Sequence, residues 1–310
     1  MTPTASPPAV EPAIAALLDA ERARVNAALA AVADEAVEGA PAALREPIRY
    51  ALATPGKRIR SVLCVSAWRA FRPGPAPDAV YRLAAAVEIV HTYSLVHDDL
   101  PCMDDDPLRR GRPTVHTVYG PAVAMLTGAA LIPAAVRVLD HAAASLRLEA
   151  ATRGALAVEL CRAGGGEGMV GGQLLDLEGE GHHLDAGRLE RIHRLKTGAL
   201  LAASLRLGAL AAGARGEALE AVSRYGGHLG LAFQIVDDVL DVVGDDASLG
   251  KTAGKDESAG KTTYPALFGI DGAQALAASE ISAATEALRE GGVHSPELAA
   301  PARYVLDRTH

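Results

Sequence analysis

The stretch FQIVDDVLD, Phe233–Asp241, decides the fold. Gln234, Asp237, Asp238 and Asp241 recur at i, i+3, i+4 and i+7, which lays all four on one stripe of an α-helix. Phe233, Ile235, Val236, Val239 and Leu240 cover the rest of that helix. A polar stripe on an otherwise apolar helix faces either solvent or a site. A second cluster, DDLPCMD at Asp98–Asp104, lies about 140 residues upstream and ends another apolar helical stretch, EIVHTYSLVH. Pro101 disrupts the turn that follows. Asp104, Asp105 and Asp106 then crowd together just before Arg109, Arg110 and Arg112.

Crowded carboxylates repel one another, and burying them costs about several kcal/mol each unless cations neutralise them. Oxygen ligands call for a hard divalent cation, above all Mg²⁺ where a phosphate shares the site. The two clusters therefore predict a polyphosphate held between two helices through metal ions. Guanidiniums beside the first cluster could grip phosphate oxygens in bidentate fashion; a salt-bridged surface loop is the alternative for that segment taken alone.

The lysines agree. Of 30 basic residues only Lys57, Lys196, Lys251, Lys255 and Lys261 are lysine, and all five fall in short Gly- or Thr-marked segments: PGKRIR, LKTGAL, LGKTAGKD and AGKTTYP. A compact ammonium on a flexible stem is a good point-charge partner for phosphate, and Arg does not replace it. Chance survival of a rare residue is the bland alternative.

Net charge of −8 with a pI near 5.7 argues against nucleic acid as a partner. The start, MTPTASPPAVEP, lacks a basic-then-apolar signal pattern, so the chain reads as cytoplasmic. Residues 1–12 read as a disordered Pro-rich start and 13–310 as a single domain. Cys64, Cys102 and Cys161 are too scattered for a disulfide framework or a metal site and are expected in the core. Gly120–Val136 is too short and too interrupted by Pro121, Gly128 and Pro133 for a membrane span, and reads as a buried helix.

Apolar residues recur at three and four spacings almost throughout, and alternating β-branched runs are scarce. The pattern predicts an all-α fold around a central cavity. Helices are expected over 12–38, 42–53, 60–71, 78–98, 121–144, 148–164, 169–177, 185–212, 217–244, 264–268 and 271–290, with a short one closing the chain. Asp78 and Asp185 are expected as N-caps.

HTYSLVHDDLPCMDDDPLRRGRPTVH resembles the first aspartate-rich motif of the trans-isoprenyl diphosphate synthases, in the form with four residues between aspartates. FQIVDDVLD resembles their second such motif, and PGKRIR their isopentenyl diphosphate segment. GMVGGQLLDL, KTGALL and LGKTAGKDESAGKTTYPAL resemble the remaining signatures, in the family's order from Gly56 to Leu267. Pro55 departs from the second glycine usual before the lysine, with little expected consequence.

The resemblance implies the isoprenoid synthase fold, an antiparallel helix bundle around a large cavity, and the activity of a prenyltransferase, closest to bacterial farnesyl diphosphate synthases. It implies that Asp98 and Asp104, with Asp99 beside them, bind two Mg²⁺ ions. Asp237 would hold a third, supported by Asp238 and Asp241. Arg109, Lys196 and Lys261 would contact the allylic diphosphate, Lys251 would close over it, and Thr197 and Gln234 would line the reacting end. Lys57, Arg60, His91 and Arg110 would form a metal-free pocket for isopentenyl diphosphate. His91 then reads as a diphosphate donor, where without the motif it would pass for a core histidine.

Tyr93 lies five residues before Asp98, about 7.5 Å along a helix, where with Ser94 it could set the floor for the growing prenyl tail. An aromatic there resembles farnesyl-making enzymes, so the expected product is C15, with C20 the alternative. A non-catalytic partner subunit of the same fold and a terpene cyclase are competing readings. Keeping both aspartate motifs disfavours the former, and FQIVDDVLD and PGKRIR disfavour the latter. The resemblance also implies a homodimer.

Overall fold

A computed structural model of the chain describes residues 11–243 and 261–307. Lys251, Lys255 and the Pro-rich start through residue 10 lie outside the described residues. The elements in order are α1 (Glu11–Ala36), α2 (Ala42–Leu52), α3 (Ile59–Phe71), α4 (Asp78–Asp98), a hairpin of β1 (Leu108–Arg109) and β2 (Arg112–Pro113), α5 (Val115–Tyr119) and α6 (Pro121–Ser145). They continue with α7 (Ala150–Gly164), α8 (Met169–Gly179), α9 (Ala186–His193), a π-helical turn (Arg194–Gly198), α10 (Ala199–Ala212), α11 (Gly216–Val243), α12 (Tyr264–Glu290) and α13 (Pro296–Asp307).

Two helices form the middle of the bundle because their sequences are apolar around most of the circumference. Isolated charges on them, such as Arg82, Glu88 and Arg206, are each ion-paired. On α4 the run Leu83–Val87 is wholly buried, and α10 buries Leu200, Leu201, Leu205 and Leu207. α4 packs on α1, α3 and α6, and α10 on α3, α7 and α11, while α12 lies along α11. Small side chains let these axes approach closely, and each fully buried Leu is worth about 1.5–3 kcal/mol of transfer free energy. The aspartate motifs stand at the C-terminal ends of α4 and α11.

The predicted helices are present, with informative differences. Asp185 does cap α9, its carboxylate accepting from the Arg188 N–H at 2.8 Å. Asp78 does not: it is already the first residue of α4, and its carboxylate pairs with Arg24 at 3.3 Å instead. The expected break between Phe268 and Asp271 is a kink at Gly269 inside α12. The expected helix 185–212 is interrupted by the π turn. The hairpin was not foreseen; Arg110 (φ 53°) and Gly111 (φ 75°) form its turn.

Two core expectations fail. Cys64 is buried, but Cys102 and Cys161 are exposed. The stretch 120–136 is a helix, yet only one side of it is buried: Met125, Leu126 and Ile132 face outward, with Met125 52% exposed.

Candidate active site

The C-terminal end of a helix carries partial negative charge, so carboxylates there are disfavoured by about 0.3–1 kcal/mol. α4 places Asp98 in its last turn with Asp99 at its C-cap, and α11 places Asp241 in its last turn with no basic residue nearby in sequence. Burial pushes the Asp98 carboxyl up to about 6; Lys196 opposes the rise, and Asp104 and Asp99 add to it. Asp99, 4% exposed, also has its carboxyl raised by burial, although Arg109 Nε donates to it at 2.6 Å. Arg109 reaches Asp106 as well, at 3.4 Å.

On the α11 stripe, burial sorts residues that spacing alone makes equivalent. Asp238 is 3% exposed and spent on structure: its Oδ1 accepts from Gln234 Nε2 at 3.0 Å and its Oδ2 from the Tyr264 N–H at 3.1 Å. His193 Nε2 lies 3.3 Å from the same carboxylate, with its ring stacked on Tyr264. Gln234, so oriented, accepts from the Thr197 hydroxyl at 2.9 Å. Asp241 is equally buried, whereas Asp237 is partly open and close enough to the Arg60 guanidinium to oppose the lowering that burial imposes on it.

Lys196 and Thr197 sit in the π turn, pressed against α8. A Cβ at Gly172 would come within 2.1 Å of the Lys196 backbone nitrogen, so only glycine admits this approach. The lysines converge on Asp176 of α8, a site residue that spacing in the sequence does not single out. Lys196 Nζ is 2.6 Å and Lys261 Nζ 3.4 Å from its carboxylate, and Lys261 is also 3.5 Å from Glu180. Burial alone would raise the Asp176 carboxyl, but the two ammoniums outweigh it and hold it below the ordinary range. The available signal was a lone carboxylate in the apolar run MVGGQLLDL.

A cavity of about 1020 Å³ opens beside Asp98 and Lys196. Asp176, Lys261, Gln234 and Asp238 line a neighbouring pocket of about 600 Å³ that shares Lys196 and Thr197 with it. In the larger cavity Arg60, His91, Asp98, Lys196 and Thr197 line one end, and Tyr93, Ser94, His97, Met169, Val170 and Leu174 the other. Tyr93 is fixed there, its hydroxyl donating to the Gly164 carbonyl at 2.6 Å; burial pushes the phenol up to about 12, so it stays a donor. The His97 ring meets Tyr93 edge-on with centroids 5.7 Å apart, and its Nε2 lies 3.0 Å from the Met125 carbonyl. A Cβ at Gly128 would overlap that ring, at 2.2 Å from Nε2.

His91 also borders a second pocket of about 450 Å³, shared with Arg58, Arg109 and Arg110. Burial first, then Arg60, Arg110, Arg109 and Arg58, hold its imidazole well below its ordinary value, so it is neutral at pH 7. Arg110 is anchored by a bond to the Pro55 carbonyl. Arg58 turns inward to pair with Glu88 at 3.5 Å, both side chains buried. Lys57 does not join this pocket; it edges a separate apolar hollow of about 670 Å³ with Ile59, Leu229 and Phe233.

The donor set suits a divalent cation, since raised, crowded carboxylates at helix C-termini gain most from one. Among the described residues no three His, Cys, Asp or Glu side chains are gathered into a ready cluster. Ions here would complete their shells with phosphate oxygens, as Mg²⁺ commonly does.

Fold and site together define an all-α transferase with the isoprenoid synthase fold. The chain belongs to the polyprenyl synthetase family, whose model matches residues 41–291. It is 44% identical to a farnesyl diphosphate synthase of Geobacillus stearothermophilus over 89% of this chain and 92% of that one. It is 42% identical to a chloroplastic geranylgeranyl pyrophosphate synthase of Catharanthus roseus, over 92% of this chain and 79% of that one. Among solved structures, a geranyltransferase from Helicobacter pylori complexed with magnesium and isoprenyl diphosphate matches with a TM-score of 0.78 at 28% identity, covering 99% of this chain and 98% of that one.

Proposed function

We propose that this chain condenses isopentenyl diphosphate with dimethylallyl or geranyl diphosphate, giving (2E,6E)-farnesyl diphosphate and pyrophosphate. The cavity carries this reading: one end holds Asp98, Lys196, Arg60 and His91, and the other is apolar and stopped by a hydrogen-bonded Tyr93. Asp98, Asp104, Asp237 and Asp241 would hold about three Mg²⁺ ions, which offset the charge growing on the departing pyrophosphate and so make the allylic C–O bond breakable.

Lys196 and Lys261, pre-aimed by Asp176, bind the allylic diphosphate together with Arg109. Arg60, Arg110 and neutral His91 hold isopentenyl diphosphate without metal; the guanidiniums supply the charge and the imidazole one N–H. Thr197, held by Gln234, orients the reacting end. The apolar walls exclude water that would trap the allylic cation as an alcohol.

The outward residues Met125, Leu126 and Ile132 of α6, with Val158 of α7, form an apolar face on which a second copy packs as a homodimer. Exposed thiols at Cys102 and Cys161 suit a reducing cytoplasm. Product analysis with Mg²⁺, isopentenyl diphosphate and each allylic starter tests the reading. Farnesyl diphosphate accumulating and not being extended supports it. A C20 product keeps the reaction and removes Tyr93 as the stop, and no condensation by folded protein removes the reading.

A further inference from the structure

Along α8 the side chains that reach the cavity are graded. Met169 and Val170 come first, Gln173 next, then Leu177 beside Asp176, the anchor of both lysines. Gln173 is therefore about one helical turn, roughly 5 Å, from the lysine end and one turn from the apolar end. It is 9% exposed, and neither its amide nitrogen nor its amide oxygen has a hydrogen-bond partner. An unpaired buried amide is expensive, about 1–3 kcal/mol for each unsatisfied group. Leucine would fill the same wall without that cost, so the amide calls for a partner that arrives during turnover.

The neighbourhood restricts what that partner is. Ammonium groups for the diphosphate lie one turn toward the C-terminus, and the apolar wall begins one turn toward the N-terminus. The reacting carbons of an allylic diphosphate bound head to Lys196 and tail to Tyr93 fall between the two. We propose that the Gln173 carbonyl oxygen faces those carbons and stabilises the cation that forms there, an inference that rests on the prenyl-transfer reading above.

In that step the allylic C1–O bond breaks and both electrons leave on pyrophosphate. The π pair of the isopentenyl C3=C4 bond then forms the new bond to C1, which moves the positive charge to C3. Pyrophosphate takes the C2 proton, and that C–H pair becomes the product double bond. A fixed carbonyl dipole in an apolar wall favours both cations over the neutral reactants without reorganising.

The test is Gln173→Leu. Three readouts are needed: the single-turnover rate of condensation with geranyl diphosphate, the affinity for geranyl S-thiolodiphosphate, which binds but ionises poorly, and the melting temperature. The expected outcome is a single-turnover rate lower by about 10- to 100-fold, of the order of losing one electrostatic group from such a site. Thiolodiphosphate affinity stays within about threefold and the melting temperature is equal or higher, since an unsatisfied buried amide has been removed.

A rate within about twofold of the parent overturns the proposal. So does a loss of thiolodiphosphate affinity as large as the loss of rate, which would make Gln173 a diphosphate ligand. A lowered melting temperature with a proportionate loss of active protein would make it structural. If the leucine variant does not fold, Gln173→Asn, which withdraws the carbonyl by one methylene, is read in the same three ways. Failure of the parent itself to condense would strike the prenyl-transfer reading and this proposal with it, whereas a parent that condenses beside an unimpaired Gln173→Leu strikes this proposal alone.

Discussion

The C-terminal ends of α4 and α11 carry the same chemical material and use it differently. At the end of α4, Asp98 is left with a carboxyl raised to about 6, and Asp99 is matched to Arg109. At the end of α11, Asp238 is consumed by two donors, Gln234 and the Tyr264 N–H that opens α12, with the His193 ring of α9 packed 3.3 Å from the same carboxylate. The first end stores unfavourable charge that Lys196 and Arg109 offset only in part, whereas the second spends one carboxylate to hold the wall that positions Gln234 and Thr197. Adjacent aspartates in one motif thus need not share a role.

The largest expected effect breaks the comparison at α4. Asp98→Ala removes the carboxylate with the most to gain from a cation, and should lower kcat about 1,000-fold, corresponding to about 4 kcal/mol. Steady-state kinetics at saturating Mg²⁺ checks this; turnover within about tenfold of the parent would mean that the raised carboxyl is incidental.

The next effect sharpens the comparison at α11. Asp238→Ala leaves the Tyr264 N–H and the Gln234 amide without their acceptor and should cost about 2 kcal/mol or more of stability. Asp237→Asn should instead cut turnover by about 100-fold while changing stability less than the Asp238 variant does. Urea unfolding beside initial rates separates the two. Equal losses of stability would return both aspartates to a single role.

This sorting marks how far the sequence could be read. The i, i+3, i+4, i+7 spacing in FQIVDDVLD and the helical periodicity elsewhere sufficed for the all-α cage, because each is a local property. The spacing could not tell Asp237 from Asp238, since the distinction is made by Tyr264 and His193, which are distant in sequence. Asp176 escaped for the same reason: its meaning comes from two lysines 20 and 85 positions away. The π turn was invisible because RLKTG is unremarkable until Gly172 of another helix is pressed against it.

A smaller effect concerns the apolar end. Tyr93→Ala removes both the ring and the bond to Gly164, and should lengthen the product beyond C15; an unchanged product distribution would remove Tyr93 as the floor. Gly128→Ala is milder. Its added methyl would overlap the His97 ring, which must then leave the Met125 carbonyl and press on Tyr93 or into the cavity. The expected result is a larger share of C10 product from dimethylallyl diphosphate with turnover of that starter kept within about tenfold. A shift to longer products would mean that His97 moves away from the tunnel.

The smallest effect tests the α4 end without any mutation. The Asp98 carboxyl stands near 6 in the folded protein against an ordinary value of 3.8. Above about pH 6 the folded chain must carry a charge that the unfolded chain carries more cheaply in water, so the group subtracts from stability. As pH falls from about 6 toward 3.8 the folded form takes up its proton first and that penalty disappears. A divalent cation needs the carboxylate, so the proton competes with it, and affinity at this ligand should weaken by about tenfold per pH unit below 6. Mg²⁺ with pyrophosphate should therefore raise the melting temperature more at pH 7.5 than at pH 5. A shift of equal size at both values would place the cation on carboxylates already ionised at pH 5, and the stored charge at the end of α4 would have no part in holding it.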